Sequence, residues 1–159
     1  MPTVLDIMAK SPARCTPETP LGHVAKLMAD FDCGAIPVVR SEEAPQPLGI
    51  ITDRDIVIRL VAENRNPLEA TARDAMTEQV VTVRPDQSLQ EVADAMEENQ
   101  VRRIVVVDEN GALVGIVSQA DVALNSPREV IAEVLQEVSE DEEGDRDKLM
   151  PLQNNSYAG

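Results

Sequence analysis

The chain has 159 residues, enough for one compact domain or for two very small units that share a core, and too few for a large multidomain enzyme. Its 14 basic and 29 acidic residues give a net charge of -15, so we expect neither nucleic acid nor an acidic membrane surface as a partner. No apolar run approaches the roughly 18 residues that span a bilayer, and the N-terminus lacks a basic and apolar leader, so a cytoplasmic protein is expected.

The sequence contains an internal repeat. At an offset of 68 residues many positions agree, among them Met8 with Met76, Pro17 with Pro85, and Ile36 with Ile104. Two extra residues in the first copy then change the offset, so that Gly49 matches Gly115. These matches predict a first repeat over 1–63, a linker over 64–70 and a second repeat over 71–125. Units of about 60 residues bury little surface alone, so the two sheets should pack together.

Each repeat is predicted to run strand, helix, strand, strand, helix. In the first copy, Thr19 and Pro20 mark the start of a helix that Gly34 closes. The apolar spacing predicts that one face of this helix is core, formed by Leu21, Val24, Ala25 and Met28. A β-branched strand over Ala35–Val39 and a second strand ending in Gly49-Ile50-Ile51 follow, and another helix begins at Thr52.

The second copy carries clearer local signals. Ser88 and Glu91 form a capping box before a helix whose predicted core face is Leu89, Val92, Ala93 and Met96. A strand over Ile104–Val107 leads into a tight turn at Asp108–Gly111, and a helix begins at Ser118. After it, residues 126–139 are predicted to form a C-terminal helix and residues 140–159 an acidic tail.

The same motif ends the last strand of both repeats: a glycine, two apolar residues, a hydroxyl, and a carboxylate three positions later. It reads Gly49 to Asp55 in one copy and Gly115 to Asp121 in the other. One interpretation is a capping box, in which hydroxyl and carboxylate stabilise the start of the helix. The other is nucleotide binding, in which hydroxyl and amides hold a phosphate and the carboxylate accepts the hydroxyls of a ribose. Both interpretations stay open.

Catalysis has little support in the sequence. His23 is the single histidine, and Cys15 has no evident activating partner, so we expect no enzyme and no metal site. Cys15 and Cys33 are expected to be free thiols in a reducing compartment, with a bridge between them as the alternative.

The repeat, its closing motif and the strand Arg102–Asp108 resemble the tandem CBS-domain pair, the Bateman module. Over Thr52–Ile58 and Met96–Arg103 the chain is similar to small stand-alone CBS-pair proteins of bacteria, and the resemblance covers about Val4 to Leu124. It implies an α/β (α+β) fold of two β-α-β-β-α repeats, packed sheet to sheet with pseudo-two-fold symmetry.

The resemblance further implies a regulatory module with two clefts for adenosine-containing ligands: AMP, ADP, ATP or S-adenosylmethionine. No cofactor is required. Carried over by position, Thr52 and Ser118 contact phosphate, Asp55 and Asp121 contact the ribose, and the base lies in an apolar slot. The first site would contain Thr16, Ala35, Ile36, Pro37, Thr52, Arg54 and Asp55; the second would contain Thr82, Arg103, Ile104, Val105, Ser118 and Asp121. The alternative is a structural or partner-binding pair with vacant clefts.

The resemblance also implies a homodimer that acts on an effector protein, which the sequence does not identify. CBS pairs commonly associate through the helices of both repeats. The apolar positions expected to be available there are Ile56, Val57, Leu60, Val61, Val122 and Leu124.

Overall fold

The structure, a computed structural model, describes residues 1–126. The predicted C-terminal helix, apart from Ser126, and the acidic tail therefore lie outside the described residues. Within 1–126, no helix has the length and apolar character that crossing a membrane requires.

The first repeat begins with a helical turn that the strand prediction did not include. Its elements are α1 (Val4–Ile7), β1 (Ala9–Lys10), α2 (Leu21–Asp30), β2 (Ala35–Val39), β3 (Pro47–Thr52) and α3 (Asp53–Ile56), which continues into a π-helical turn (Val57–Val61). The predicted linker contains a 3-10 turn (Pro67–Glu69). The second repeat has the same order: α4 (Ala72–Ala75), β4 (Thr82–Val83), α5 (Leu89–Asn99), β5 (Arg103–Val107), β6 (Leu113–Ser118) and α6 (Gln119–Asn125).

Each repeat completes the sheet of the other. The second repeat's sheet has the order β1-β6-β5-β4, so its first strand comes from the start of the chain. There Ala9 lies opposite Ile116. The first repeat's strands β2 and β3 form an antiparallel pair, and Thr77, just before the second repeat's first core strand, bridges Ile50 in return. Since residues 9 and 77 are equivalent, as are 50 and 116, the predicted pseudo-two-fold symmetry is confirmed.

The glycine of the repeated motif stands where the exchanged segment crosses. A β-carbon on Gly49 would lie 2.6 Å from the carbonyl oxygen of Thr77. A β-carbon on Gly115 would lie 2.5 Å from the sulfur of Met8 and 3.1 Å from the carbonyl oxygen of Ala9. Both glycines are therefore required by the close approach of two backbones.

Three apolar clusters hold the repeats together. In each repeat, alternate strand residues face the helices, with Ile36 and Val38 in the first core and Ile104 and Val106 in the second. The other faces of the sheets meet in a third cluster formed by Val39, Val105, Val107 and Leu113, with Ile50 and Val80 packed against it. This cluster and the exchanged strands make the two repeats one folded unit. A backbone hydrogen bond of 2.9 Å, from the Leu113 N–H to the Pro45 carbonyl, also joins them.

Several local predictions are confirmed and others are wrong. The Ser88 capping box is present, and Gly111 has a φ of 80° in the predicted tight turn. The first helix, however, has Pro20 as its N-cap residue and ends with Phe31 as C-cap, so Thr19 and Gly34 do not have the predicted roles. Ala25 is exposed.

Two positions expected at a dimer interface are instead core. Leu60 and Val122 are fully buried, because each turns inward against its own repeat.

The two crossing glycines are expected to differ in how well they tolerate a side chain. Gly49→Ala should lower the free energy of unfolding by about 1–3 kcal/mol, because the new methyl group meets backbone. Gly115→Ala should cost less, since its nearest neighbour is the flexible end of Met8. Gly22→Ala is the control: a β-carbon there makes only a 3.5 Å contact with Leu68 inside a helix, and it should be neutral or stabilising. Chemical denaturation measures all three; a Gly49→Ala variant as stable as Gly22→Ala would contradict this explanation.

The two thiols should differ in reactivity. Both are free within the described residues, and burial raises the pKa of the Cys15 thiol to about 12. Cys33 is only half-buried. Because the thiolate is the reactive form, iodoacetamide at pH 8 should modify Cys33 first and reach Cys15 only when the protein unfolds. Peptide mass mapping after timed alkylation measures the two rates, and equal rates in folded protein would be inconsistent with a buried Cys15.

Candidate functional site

The first copy of the hydroxyl-carboxylate motif forms a complete capping box where β3 passes into α3. The Thr52 hydroxyl oxygen accepts a hydrogen bond of 3.1 Å from the Asp55 N–H. In return, the Thr52 N–H donates to Asp55 Oδ2 at 2.9 Å. Both side chains are half-buried. The motif itself therefore supplies hydrogen-bond partners for N–H groups at the N-terminus of α3.

The second copy has the same geometry at the junction of β6 and α6. Ser118 Oγ accepts from the Asp121 N–H at 3.1 Å, and the Ser118 N–H donates to Asp121 Oδ2 at 2.9 Å. The capping interpretation is confirmed in both repeats. It does not exclude a ligand, because an ionised carboxylate has two oxygens with about four acceptor positions and each cap bond uses one.

Sequence reasoning missed a second pair of capping boxes. The Thr3 N–H donates to Asp6 Oδ2 at 2.8 Å, and the equivalent Thr71 N–H donates to Asp74 Oδ2 at 2.9 Å. These bonds lower the pKa of Asp6 and Asp74, with the backbone N–H of the capping threonine as the largest cause in each. The signal was in the sequence, since Thr-x-x-Asp recurs at the repeat offset. These boxes show that the motif caps helices elsewhere in the same chain.

The side chains predicted to line an apolar slot for a base lie on two different faces of their strands. The alternation along β2 directs Ile36 into the first core, and the same alternation directs Ile104 into the second. Both side chains are fully buried there, so Ile36 and Ile104 do not line a cleft between the sheets. Ala35, Pro37 and Val105 lie on the opposite face of their strands, toward the other repeat.

The two threonines predicted beside the slots are not equivalent. Cys15 forms a β-bridge with Val38, and the equivalent residue of the second repeat, Val83, pairs with Val106. The counterpart of Thr16 is therefore Arg84, and the counterpart of Thr82 is Arg14. Thr82 lies opposite Val105 on the face toward the other repeat. The hydroxyls of Thr16 and Thr19 lie 3.2 Å apart in a local turn. Arg14 was not among the residues predicted for the first site. The repeat offset of 68 could have identified it, because it makes Arg14 the counterpart of Thr82.

Arg103 was assigned to the second site, but its side chain reaches the first repeat. A β-carbon built on Gly34 would lie 3.2 Å from Arg103 Nη2 and 3.2 Å from Asp53 Oδ2. Gly34 and Asp53 are joined by a 3.1 Å hydrogen bond from the Asp53 N–H to the Gly34 carbonyl. They flank Ala35 and Thr52, which lie opposite each other in the sheet. Sequence order alone could not predict this position of the side chain, because the arginine crosses between the repeats. Arg54, predicted for the first site, is exposed one residue further along α3.

Possible metal ligands do not cluster in the described part of the chain. Among residues 1–126, no group of three or more His, Cys, Asp and Glu side chains is placed to hold a metal ion. His23 is exposed on α2.

Comparison with known proteins agrees with the duplicated geometry. The CBS domain family matches twice, over residues 4–62 and 72–127. The chain belongs to the CBS domain family. Each match contains one of the two hydroxyl-carboxylate motifs, at Thr52 or at Ser118. Together the two matches include both partners of each exchanged pair, Ala9 with Ile116 and Ile50 with Thr77.

The similar proteins extend over most of this chain. Hypoxic response protein 1 of Mycobacterium tuberculosis is 35% identical over 138 residues, covering 87% of this chain and 94% of that protein. The uncharacterized protein MK0525 of Methanopyrus kandleri is 35% identical over 122 residues, and there the chain spans only 59% of its relative's length.

Two solved structures of CBS pairs are similar in fold. The crystal structure of hypoxic response protein I, which has two coordinated zinc ions, has a TM-score of 0.68 at 36% identity and covers 79% of this chain and 99% of its own. The CBS domain pair of protein MJ0100, in complex with 5'-methylthioadenosine and S-adenosyl-L-methionine, also has a TM-score of 0.68, at 29% identity, and covers 77% of this chain and 93% of its own.

Proposed function

We propose that this protein is a regulatory module that binds an adenosine-containing ligand in the clefts between its two CBS repeats. The observation that carries the proposal is the complex of the MJ0100 pair, a similar fold that holds two such ligands. The candidates are AMP, ADP, ATP and S-adenosylmethionine. The function is regulatory rather than catalytic, since its chemistry is recognition by hydroxyl, carboxylate and arginine groups.

The proposed contacts follow from the two capping motifs. Thr52 and Ser118 would contact phosphate, and Asp55 and Asp121 would accept the hydroxyls of a ribose. The Oδ2 atoms of both aspartates already accept a backbone N–H, which fixes the carboxylates before any ligand arrives. A pre-oriented acceptor loses less freedom on binding, which favours affinity. The remaining acceptor positions are the ones that a ribose would use.

A second candidate function is a structural or partner-binding pair whose clefts stay vacant. One observation favours it: in both motifs the hydroxyl and the carboxylate cap the helix through hydrogen bonds to the backbone, and the carboxylates of Asp6 and Asp74 make the same kind of bond elsewhere in the chain. The two candidates differ in one measurable way. A ligand that binds only the folded protein raises its melting temperature, so a panel of adenosine nucleotides and S-adenosylmethionine separates them.

Replacing the carboxylates tests which role the motif has. If the Asp55 carboxylate accepts hydrogen bonds from the ribose hydroxyls, Asp55→Asn should weaken AMP binding by about tenfold, because a charge-assisted acceptor for two hydroxyls is lost. Asp121→Asn should do the same at the second site. Calorimetric titration measures the affinities, and a 2'-deoxy nucleotide removes one hydroxyl from the ligand instead.

The matched control is Asp6→Asn, which weakens a capping box of the same type outside the proposed clefts. All three variants should lose up to about 1 kcal/mol of stability, but only those at Asp55 and Asp121 should lose affinity. Affinities that are unchanged in both variants and with the deoxy nucleotide would leave capping as the whole role of the motif.

We also propose a cytoplasmic homodimer that regulates an effector protein. The support for a dimer is the apolar surface that the helices leave uncovered: Val57 is 56% exposed, Val61 54% and, on α6, Leu124 84%. Ile58, the counterpart of Leu124, is also exposed. The π-helical turn places three of these residues within one short segment.

The dimer can be tested by mass. Light scattering of the purified chain at micromolar concentration should give twice the mass of one chain. The double variant Val57→Lys with Val61→Lys should shift it to monomer, because buried charges oppose association. Leu5→Glu changes an exposed apolar residue outside these helices and should leave the dimer intact. A monomeric mass for the unmodified chain would contradict the proposal.

A further inference from the structure

One side chain crosses from the second repeat to the candidate ligand site of the first. Arg103 belongs to β5, yet its guanidinium lies against the point where β2 and α3 begin. Gly34, which has no side chain to fill that space, and the Asp53 carboxylate border it. This position is one residue away from both Ala35 and Thr52, two residues of the first candidate site.

The pseudo-symmetry gives the internal comparison. The counterpart of Arg103 in the first repeat is Ala35, whose methyl group cannot reach across. The counterpart of Asp53 is Gln119, and that of Gly34 is Arg102, an exposed residue. An arginine that crosses to the other repeat, with a carboxylate near the same glycine, therefore occurs at the first site alone, within the symmetry of the described repeats.

The chemistry of this cluster fits a phosphate. A guanidinium presents a planar fork of donors that matches phosphate oxygens in pairs. Asp53 is exposed, and an exposed carboxylate is only a weak competitor for that fork. A phosphate group carries more charge and more acceptors than one carboxylate, so it is a stronger partner for the arginine than Asp53 would be.

We propose that Arg103 is contributed by the second repeat to the ligand site of the first, where it selects adenosine ligands that carry a phosphate. This inference rests on the proposed function. It names a specificity residue that sequence order assigns to the other site. It also means that a phosphorylated ligand at the first site contacts both repeats at once.

The experiment compares AMP with 5'-methylthioadenosine, which has an adenosine but no phosphate. In calorimetric titrations of the full 159-residue chain, Arg103→Gln should weaken AMP binding at one site by about tenfold. The same variant should change 5'-methylthioadenosine affinity by less than about twofold, since that ligand has no group for the fork. Asp53→Asn, which keeps an oxygen for the Arg54 N–H, should tighten AMP binding by about threefold.

Two controls remove the same charge elsewhere. Arg102→Gln changes the neighbouring arginine, and Arg40→Gln changes an exposed arginine at the opposite end of β2. Both should leave AMP affinity within about twofold of the unmodified protein. Melting temperatures of all variants show whether each is folded.

The outcomes separate this inference from the proposed function. If Arg103→Gln weakens both ligands equally, or neither, the inference is overturned while adenosine binding stands. If Arg102→Gln alone weakens AMP binding, the selecting arginine is the wrong one and the inference is again overturned. If neither ligand binds the unmodified protein, the proposed function fails and the inference with it.

Discussion

The exchange of edge segments between the two repeats is the constraint on which the rest of the structure depends. Ala9 completes the second sheet and Thr77 completes the first, so neither repeat has all its strand partners within its own sequence. The crossing brings the backbones so close that a β-carbon would lie 2.6 Å from a carbonyl oxygen at Gly49 and 3.1 Å from one at Gly115. The same crossing fixes the start of the motif, whose hydroxyl and carboxylate then stand at equivalent places in both repeats.

Much of this could be predicted from the sequence because the information was local or repeated. Capping boxes depend on residues three apart, and strand Ala35–Val39 is an apolar run that includes Ile36, Val38 and Val39. The boxes at Thr52 and Ser118 and this strand were therefore found as the structure has them. Ile36 and Ile104 were misplaced because a run that is buried throughout gives no alternation from which to tell one face from the other. The reach of Arg103 could not be predicted at all, since it depends on how two sheets meet.

The asymmetry between the repeats arises on a symmetric frame. Corresponding residues occupy the same backbone positions, yet Arg103 and Asp53 border Gly34 on one side, while Ala35 and Gln119 take their places on the other. Duplication therefore supplies two equivalent backbone frames, and the side chains at these positions are where the two frames differ. The capping function shared by both motifs keeps the frame intact while the surrounding charges differ.

The hydrogen bond from Leu113 to Pro45 has a consequence for how this chain can vary in length. Its symmetric counterpart cannot exist, because Pro47 occupies the position equivalent to Leu113 and has no N–H to donate. Shortening the first hairpin would thus leave the buried Leu113 N–H without its acceptor, the Pro45 carbonyl. In the described structure, the turn at Asp108–Gly111 of the second hairpin makes no such backbone hydrogen bond to the other repeat. Insertions and deletions should accordingly be tolerated in the second hairpin and selected against in the first.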